Sequence, residues 1–171
     1  MSKFHIINKE QIKRKIEKMK NLGWTNDGWT ENFIDDENQN WELTNYESEY
    51  HGGGISVLRK KSNLSVDYLI DLIFESNDLE EISAIALELY DKEQHQKIDF
   101  REKLLNQILN QNLENLNSFE KEKIKLIIFE SSLYDATNRK EILGKTHNQI
   151  MEDAKYYREI SEKSKEILKK L

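Results

Sequence analysis

The stretch "GWTENFIDDENQNWELTNY", residues 28–46, decides how the first third of the chain is read. In "WELTNY" a period of two places Trp41 and Leu43 on one face and Glu42, Thr44 and Tyr46 on the other, as a half-buried strand requires. The Asp- and Asn-rich "DDENQN" is a turn signal between two short β-like runs, and "ISVLRK", residues 55–60, supplies a third run. Upstream, "NKEQIKRKIEKMKNLGW" spaces Ile12, Ile16 and Met19 by four and three, which predicts an amphipathic helix ended by Gly23 at C′. The economical expectation is an α+β module over residues 1–61, a small three-stranded antiparallel sheet with one N-terminal helix.

From Asn63 onward the period is helical, so residues 62–171 are expected to be an all-α region of about five helices. Val66, Leu69, Ile70 and Ile73 share one face; "NDLEE" then restarts the pattern with Asn77 as N-cap, and Leu79, Ile82, Ile85, Ala86 and Leu89 align behind it. Two consecutive hairpins, 65–91 and 99–133, suggest a HEAT-like stack without residue-level repeats. "THNQ" sets Thr146 and Gln149 as a capping box for a long last helix. Its seam of Ile150, Ala154, Tyr157, Ser161, Ser164, Leu168 and Leu171 reads as a packed helix, with a homodimer coiled coil as the alternative.

Hydrophobic content of 37% with 34% charged residues describes a polar chain that still has enough apolar surface to fold. The absence of Cys removes disulfides, thiolate metal sites and thiol nucleophiles. No run approaches the roughly 18 apolar residues of a membrane span, so a cytoplasmic protein with no membrane partner is expected. The net charge of −6 is unevenly placed. Residues 1–20 carry seven Lys or Arg against two Glu, whereas from Asn21 to Leu58 there is no Lys or Arg and there are eight acids. A block of one sign repels nucleic acid and attracts a basic partner; the basic helix face is a second candidate to pair with it.

The same block contains "ESEYHGGG", residues 47–54, with half of the chain's six glycines. HGGG serves as an oxyanion loop only beside a G-x-S-x-G elbow on an alternating βα chain, and neither is present. A phosphate loop fails for want of G-x-x-x-x-G-K-[ST] and because the surroundings are acidic. His5, His51, His95 and His147 are scattered, and "DDENQN" lacks the glycine and distal glutamate of a calcium loop, so no metal, cofactor or catalytic residue is assigned. Gly52, Gly53 and Gly54 are read as a structural loop between strands, where backbone freedom is needed. Trp24, Trp29 and Trp41 crowd into this region; Trp24 and Trp41 are expected in the core, and Trp29 is open between core and interface.

Residues 22–60 resemble a family of immunity proteins from bacterial polymorphic-toxin systems, with a GW start, an aromatic-led strand like "WELTNY" and a loop like "SEYHGGG". Gly23, Trp24, Trp41, Leu43, Glu49, His51, Gly52, Gly53 and Gly54 carry the resemblance, while Ile55 and Ser56 stand where members commonly have prolines. The resemblance implies a non-catalytic inhibitor that binds a cognate toxin and covers its active site. On that reading the candidate partner contacts are Trp29, Asp35, Asp36, Glu37, Glu47, Glu49, Tyr50 and His51, facing a basic toxin. The alternative is a helical scaffold or adaptor that binds its partner through residues 63–171.

Overall fold

The computed structural model describes residues 4–26, 28–46, 54–61 and 64–171. In chain order its elements are β1 (His5–Ile6), α1 (Lys9–Ile16), β2 (Lys20–Trp24), β3 (Thr30–Ile34), β4 (Asn40–Tyr46), β5 (Ile55–Lys60), α2 (Val66–Glu75), α3 (Leu79–Gln96), α4 (Arg101–Leu109), α5 (Ser118–Glu130) and α6 (His147–Lys170). The strands form one antiparallel sheet in the order β1-β5-β4-β3-β2.

The expectation of a three-stranded sheet with one N-terminal helix is therefore corrected: among the described residues the sheet has five strands and the chain six helices. The three runs read as strands are β3, β4 and β5, and the two missed strands are its edges. β1 is two residues long, too short for any period to show. β2 was absorbed into the expected helix, which in fact stops at Ile16, after which Met19 donates its N–H to the Ile16 carbonyl in a turn. Met19 still reaches the core, so its spacing from Ile16 reports packing and not helix. Gly23, at φ 93°, lies at a bulge in β2 where Asn21 Oδ1 accepts its N–H, and not at a helix C′. The HEAT-like expectation is corrected as well: α2 to α6 have 10, 18, 9, 13 and 24 residues and repeat no common unit.

The chain divides into two compact units, residues 1–65 with 72–85, and residues 66–71 with 86–171. In the sheet unit, cross-strand partners share a face, so Ile6, Leu58, Leu43, Glu31 and Trp24 form one continuous row from edge to edge. Lys60, Trp41, Phe33 and Asn21 form the next. Ile12 of α1 closes over the inner members of these rows, giving a core of Ile6, Ile12, Phe33, Trp41 and Leu58 with Ile16, Met19 and Leu43 at its border. Helix α1 begins at Asn8, whose Oδ1 accepts the N–H groups of Glu10 and Gln11 at 3.1 Å. The α2–α3 turn belongs to the same unit: Phe4 N–H donates to Glu81 and Asn8 Nδ2 to Glu80, both at 3.0 Å. Helix α3 is capped by Asp78, one residue later than expected, because its Oδ1 reaches the N–H groups of Glu80 and Glu81.

The helical unit is built around a buried ion pair. Arg101, with no exposed surface, donates Nε–H and Nη2–H to the two oxygens of Glu93 at 2.7 and 2.8 Å. Its Nη1 donates to the carbonyls of Ser132 and Asp135, and the Tyr157 hydroxyl donates to Glu93 Oε1, the oxygen that also accepts Arg101 Nε–H. Those carbonyls are available because α5 ends in a Schellman motif, with Leu133 N–H bonded to Ile128 and Ser132 N–H to Phe129. Ser132 takes the left-handed position, φ 55°, that glycine usually fills. Helix α6 starts with the Thr146–Gln149 capping box and buries Tyr157, Ile160, Ser161, Ser164 and Ile167 within its own chain. Much of the seam considered for a dimer is thus covered internally, and Ser161 donates to the Tyr134 carbonyl at 2.6 Å.

Truncating Arg101 leaves the buried Glu93 charge with Arg139 Nε at 3.9 Å and without its bidentate partner, whereas removing both charges does not. Arg101→Ala is expected to lower unfolding free energy by about 3–5 kcal/mol, and Arg101→Met with Glu93→Leu by clearly less, as read by urea denaturation.

Candidate interaction surface

The acidic turn between β3 and β4 is a three-residue hairpin loop, Asp36 to Asn38, with Asn38 at φ 60° closing it. Asp35 organises it. Its Oδ1 accepts the N–H groups of Glu37 at 3.1 Å and Gln39 at 2.8 Å, and its Oδ2 accepts the Trp41 indole N–H at 2.8 Å. Burial pushes the Asp35 pKa up, but the Gln39, Trp41 and Glu37 hydrogen bonds together with the Lys15 charge outweigh it and hold the carboxyl below its ordinary value. Asp35 therefore spends its lone pairs inside the protein, while Asp36 and Glu37 are exposed.

Beside this turn is a pocket of about 210 Å³ lined by Lys15, Lys18, Lys60, Trp41 and the three acids, among others. Lys15 Nζ stands 4.3 Å from the Trp41 ring centroid and Lys60 Nζ 5.6 Å from it, which gives the buried indole two cationic neighbours. The basic end of α1 thus compensates the acidic turn. Glu42 is likewise held by Arg59 at 3.1 Å and Lys61 at 3.0 Å.

Trp29 lies at the other end of the sheet. It sits in the β2–β3 turn, so the five residues of β3, roughly 17 Å of strand, separate it from Asp35. The structure does not bring the candidate contacts into one cluster. Trp41 is 1% exposed and central to the core, but Trp24 is 58% exposed, which corrects its expected burial. The reason is positional: Trp24 continues the Ile6–Leu58–Leu43–Glu31 row onto the edge strand, past the residues that α1 covers. Trp29 is 56% and Leu22 51% exposed on the same hairpin. A single exposed Leu means little, but two tryptophans and a leucine on one short hairpin form the kind of aromatic surface that interfaces favour. The sequence signal that could have located Trp24 is the β2 strand itself, hidden by the helical spacing before it.

Glu47, Glu49, Tyr50, His51, Gly52 and Gly53 lie outside the described residues. Gly54 is described, and its φ of 66° is the left-handed conformation that a Cβ would strain immediately before β5. Among the described residues no group of His, Asp and Glu side chains is arranged to hold a metal ion, and no helix is long and apolar enough to cross a membrane.

The helical unit has perturbed groups of its own. Burial and the neighbouring Glu93 and Asp99 push the Tyr157 and Tyr156 phenols far above their ordinary range, so both are hydrogen-bond donors and neither is a phenolate at neutral pH. Each has a structural partner, Asp99 for Tyr156 and Glu93 for Tyr157. A shallow groove of about 450 Å³ between α2 and α4 is lined by Ile70 and polar side chains, with Lys103 paired to Asp67 at 2.7 Å. No protein-family model, no curated protein and no solved structure matches this chain.

The lowered Asp35 pKa has a definite sign in stability. Its contribution is fully present above the ordinary value of 3.8 and is lost as pH falls through the lower folded value. Asp35→Asn is expected to be less stable than the parent at neutral pH, and the gap to narrow as pH is lowered from about 5 to about 2 in chemical denaturation.

Proposed function

We propose that this chain is a cytoplasmic, non-catalytic immunity protein that binds a cognate basic toxin and covers its active site. One observation carries the reading: the β2–β3 hairpin exposes Trp24 and Trp29 in a segment, Asn21 to Leu58, that contains no Lys or Arg. Aromatic anchors of this size supply large contact area at low entropic cost, and surrounding acids speed encounter with a basic partner. The resemblance of residues 22–60 to polymorphic-toxin immunity proteins supports the same reading.

Within it the roles divide. Trp24 and Trp29 are anchors, and the exposed Asp36 and Glu37 are contacts at the far end of the sheet, beside Lys15, Lys18 and Lys60. Asp35 acts through the turn it holds and not by touching the toxin. Glu47, Glu49, Tyr50 and His51 enter as contacts on the strength of the resemblance.

Mixing the purified chain with the toxin encoded beside it is expected to yield a stable stoichiometric complex whose affinity falls as salt rises. Trp24→Ala and Trp29→Ala should each weaken it by about 2 kcal/mol, roughly thirtyfold, in calorimetric titration. No complex at low salt would sink the reading. Full affinity retained in both tryptophan variants, with loss on substitution in the helical unit, would favour a scaffold binding through residues 63–171 instead.

A further inference from the structure

Among the described residues the sheet's outer strand β2 pairs only with β3, and four of its five residues are exposed. An outer strand with bare apolar side chains is a template for another strand, and proteins ordinarily blunt such edges with charge, proline or cover. Here Lys20 stands at the strand's beginning and a bulge lies between Asn21 and Gly23, and Leu22 and Trp24 remain exposed without a charge. At Gly23 a Cβ would meet nothing within 4 Å, while its N–H donates to Asn21 Oδ1 and its carbonyl accepts from Asn32 Nδ2.

The charge around this edge selects the occupant. At the opposite end of the sheet Lys15, Lys18 and Lys60 face the acidic turn, while Arg59 and Lys61 hold Glu42 in the row Gly23–Asn32–Glu42–Arg59, next to that of Trp24. On the hairpin itself the cross-strand partner of Trp24 is Glu31, held by the Asn21 amide at 2.6 Å and, among the described residues, not by a cation. A strand added beyond β2 would continue the Ile6–Leu58–Leu43–Glu31–Trp24 row, covering the indole with one face and offering cations to the carboxylate beside it.

We propose that β2 receives an extended, lysine- or arginine-bearing segment of a partner protein by strand addition, with Trp24 as the side-chain anchor. This rests on the immunity reading for the partner's identity but not for the docking mode. An added strand has alternate side chains on the Trp24 face and its backbone N–H groups on the β2 edge, so both charge pattern and amide hydrogens are required.

The test uses the full chain and a capped synthetic peptide of about ten residues alternating Lys and Val, long enough to match a typical strand. Amide exchange is followed by NMR and tryptophan emission by titration. The expected result is saturable binding that slows exchange at residues 20–24 and shifts emission to the blue. Affinity should fall at least about tenfold for Trp24→Lys and for a peptide with alternate amides N-methylated, since each removes one required element. The N-methylated peptide leaves the protein unaltered, so its result stands even where a variant misfolds. Absence of saturable binding, slowed exchange confined to residues elsewhere, or equal affinity for the N-methylated peptide or for a Glu–Val peptide would each overturn the proposal. A toxin complex that leaves residues 20–24 unprotected would overturn strand addition while sparing the immunity reading; peptide docking without toxin neutralisation would do the reverse.

Discussion

The Arg101–Glu93 pair is the interaction on which the helical unit depends. Placing a guanidinium and a carboxylate out of water costs several kcal/mol per ion, and only dense, well-aimed hydrogen bonding offsets it. Here Glu93 accepts from Arg101 twice and from Tyr157, and Arg101 also binds two carbonyls that follow α5. One cation therefore ties α3, α4, the segment after α5 and α6 into a single arrangement. The left-handed Ser132 is part of the same device, since that conformation turns the chain after α5 where its carbonyl meets Arg101.

The sheet unit uses a smaller version of the same principle. Asp35 joins a hairpin turn to the core by accepting two backbone N–H groups and the Trp41 indole, so the register of β3 against β4 and the orientation of the central aromatic are set together. Lysines of α1 and β5 stand around that indole and next to the acidic turn. The most acidic-looking feature of the sequence is consequently a compensated one, whereas Glu31 on the β2–β3 hairpin is held by the Asn21 amide.

How much was legible depended on length and on period. β3, β4 and β5 announced themselves because each is long enough to alternate and is bounded by turn residues; β1 and β2 did not, one for brevity and the other because Met19 extended a helical spacing across a turn. Ile82, Ile85 and Leu89 were readable as a core face of α3, but Glu88 and Glu93, also buried there, were not. Glu88 has Lys92 one turn on, an i,i+4 pair, but the spacing does not tell a buried pair from a solvated one; Glu93 depends on Arg101 and Arg139, which lie beyond its own helix and outside any local pattern. Among the candidate contacts, Asp36, Glu37 and Trp29 are exposed, whereas Asp35 is occupied.

By itself the sequence determined the change from a period of two to a helical one near residue 63, the central strands, the capping box of the last helix and the one-signed charge of residues 21–58. These are local or additive properties, and neighbouring residues suffice to specify them. Tertiary structure decided which tryptophan is core and which is surface, which acid is a tether and which is free to meet solvent, and where the sheet ends. Trp24 and Trp41 have equal claim to burial as side chains; only their places in the strand order, one at the edge and one beneath α1, separate them.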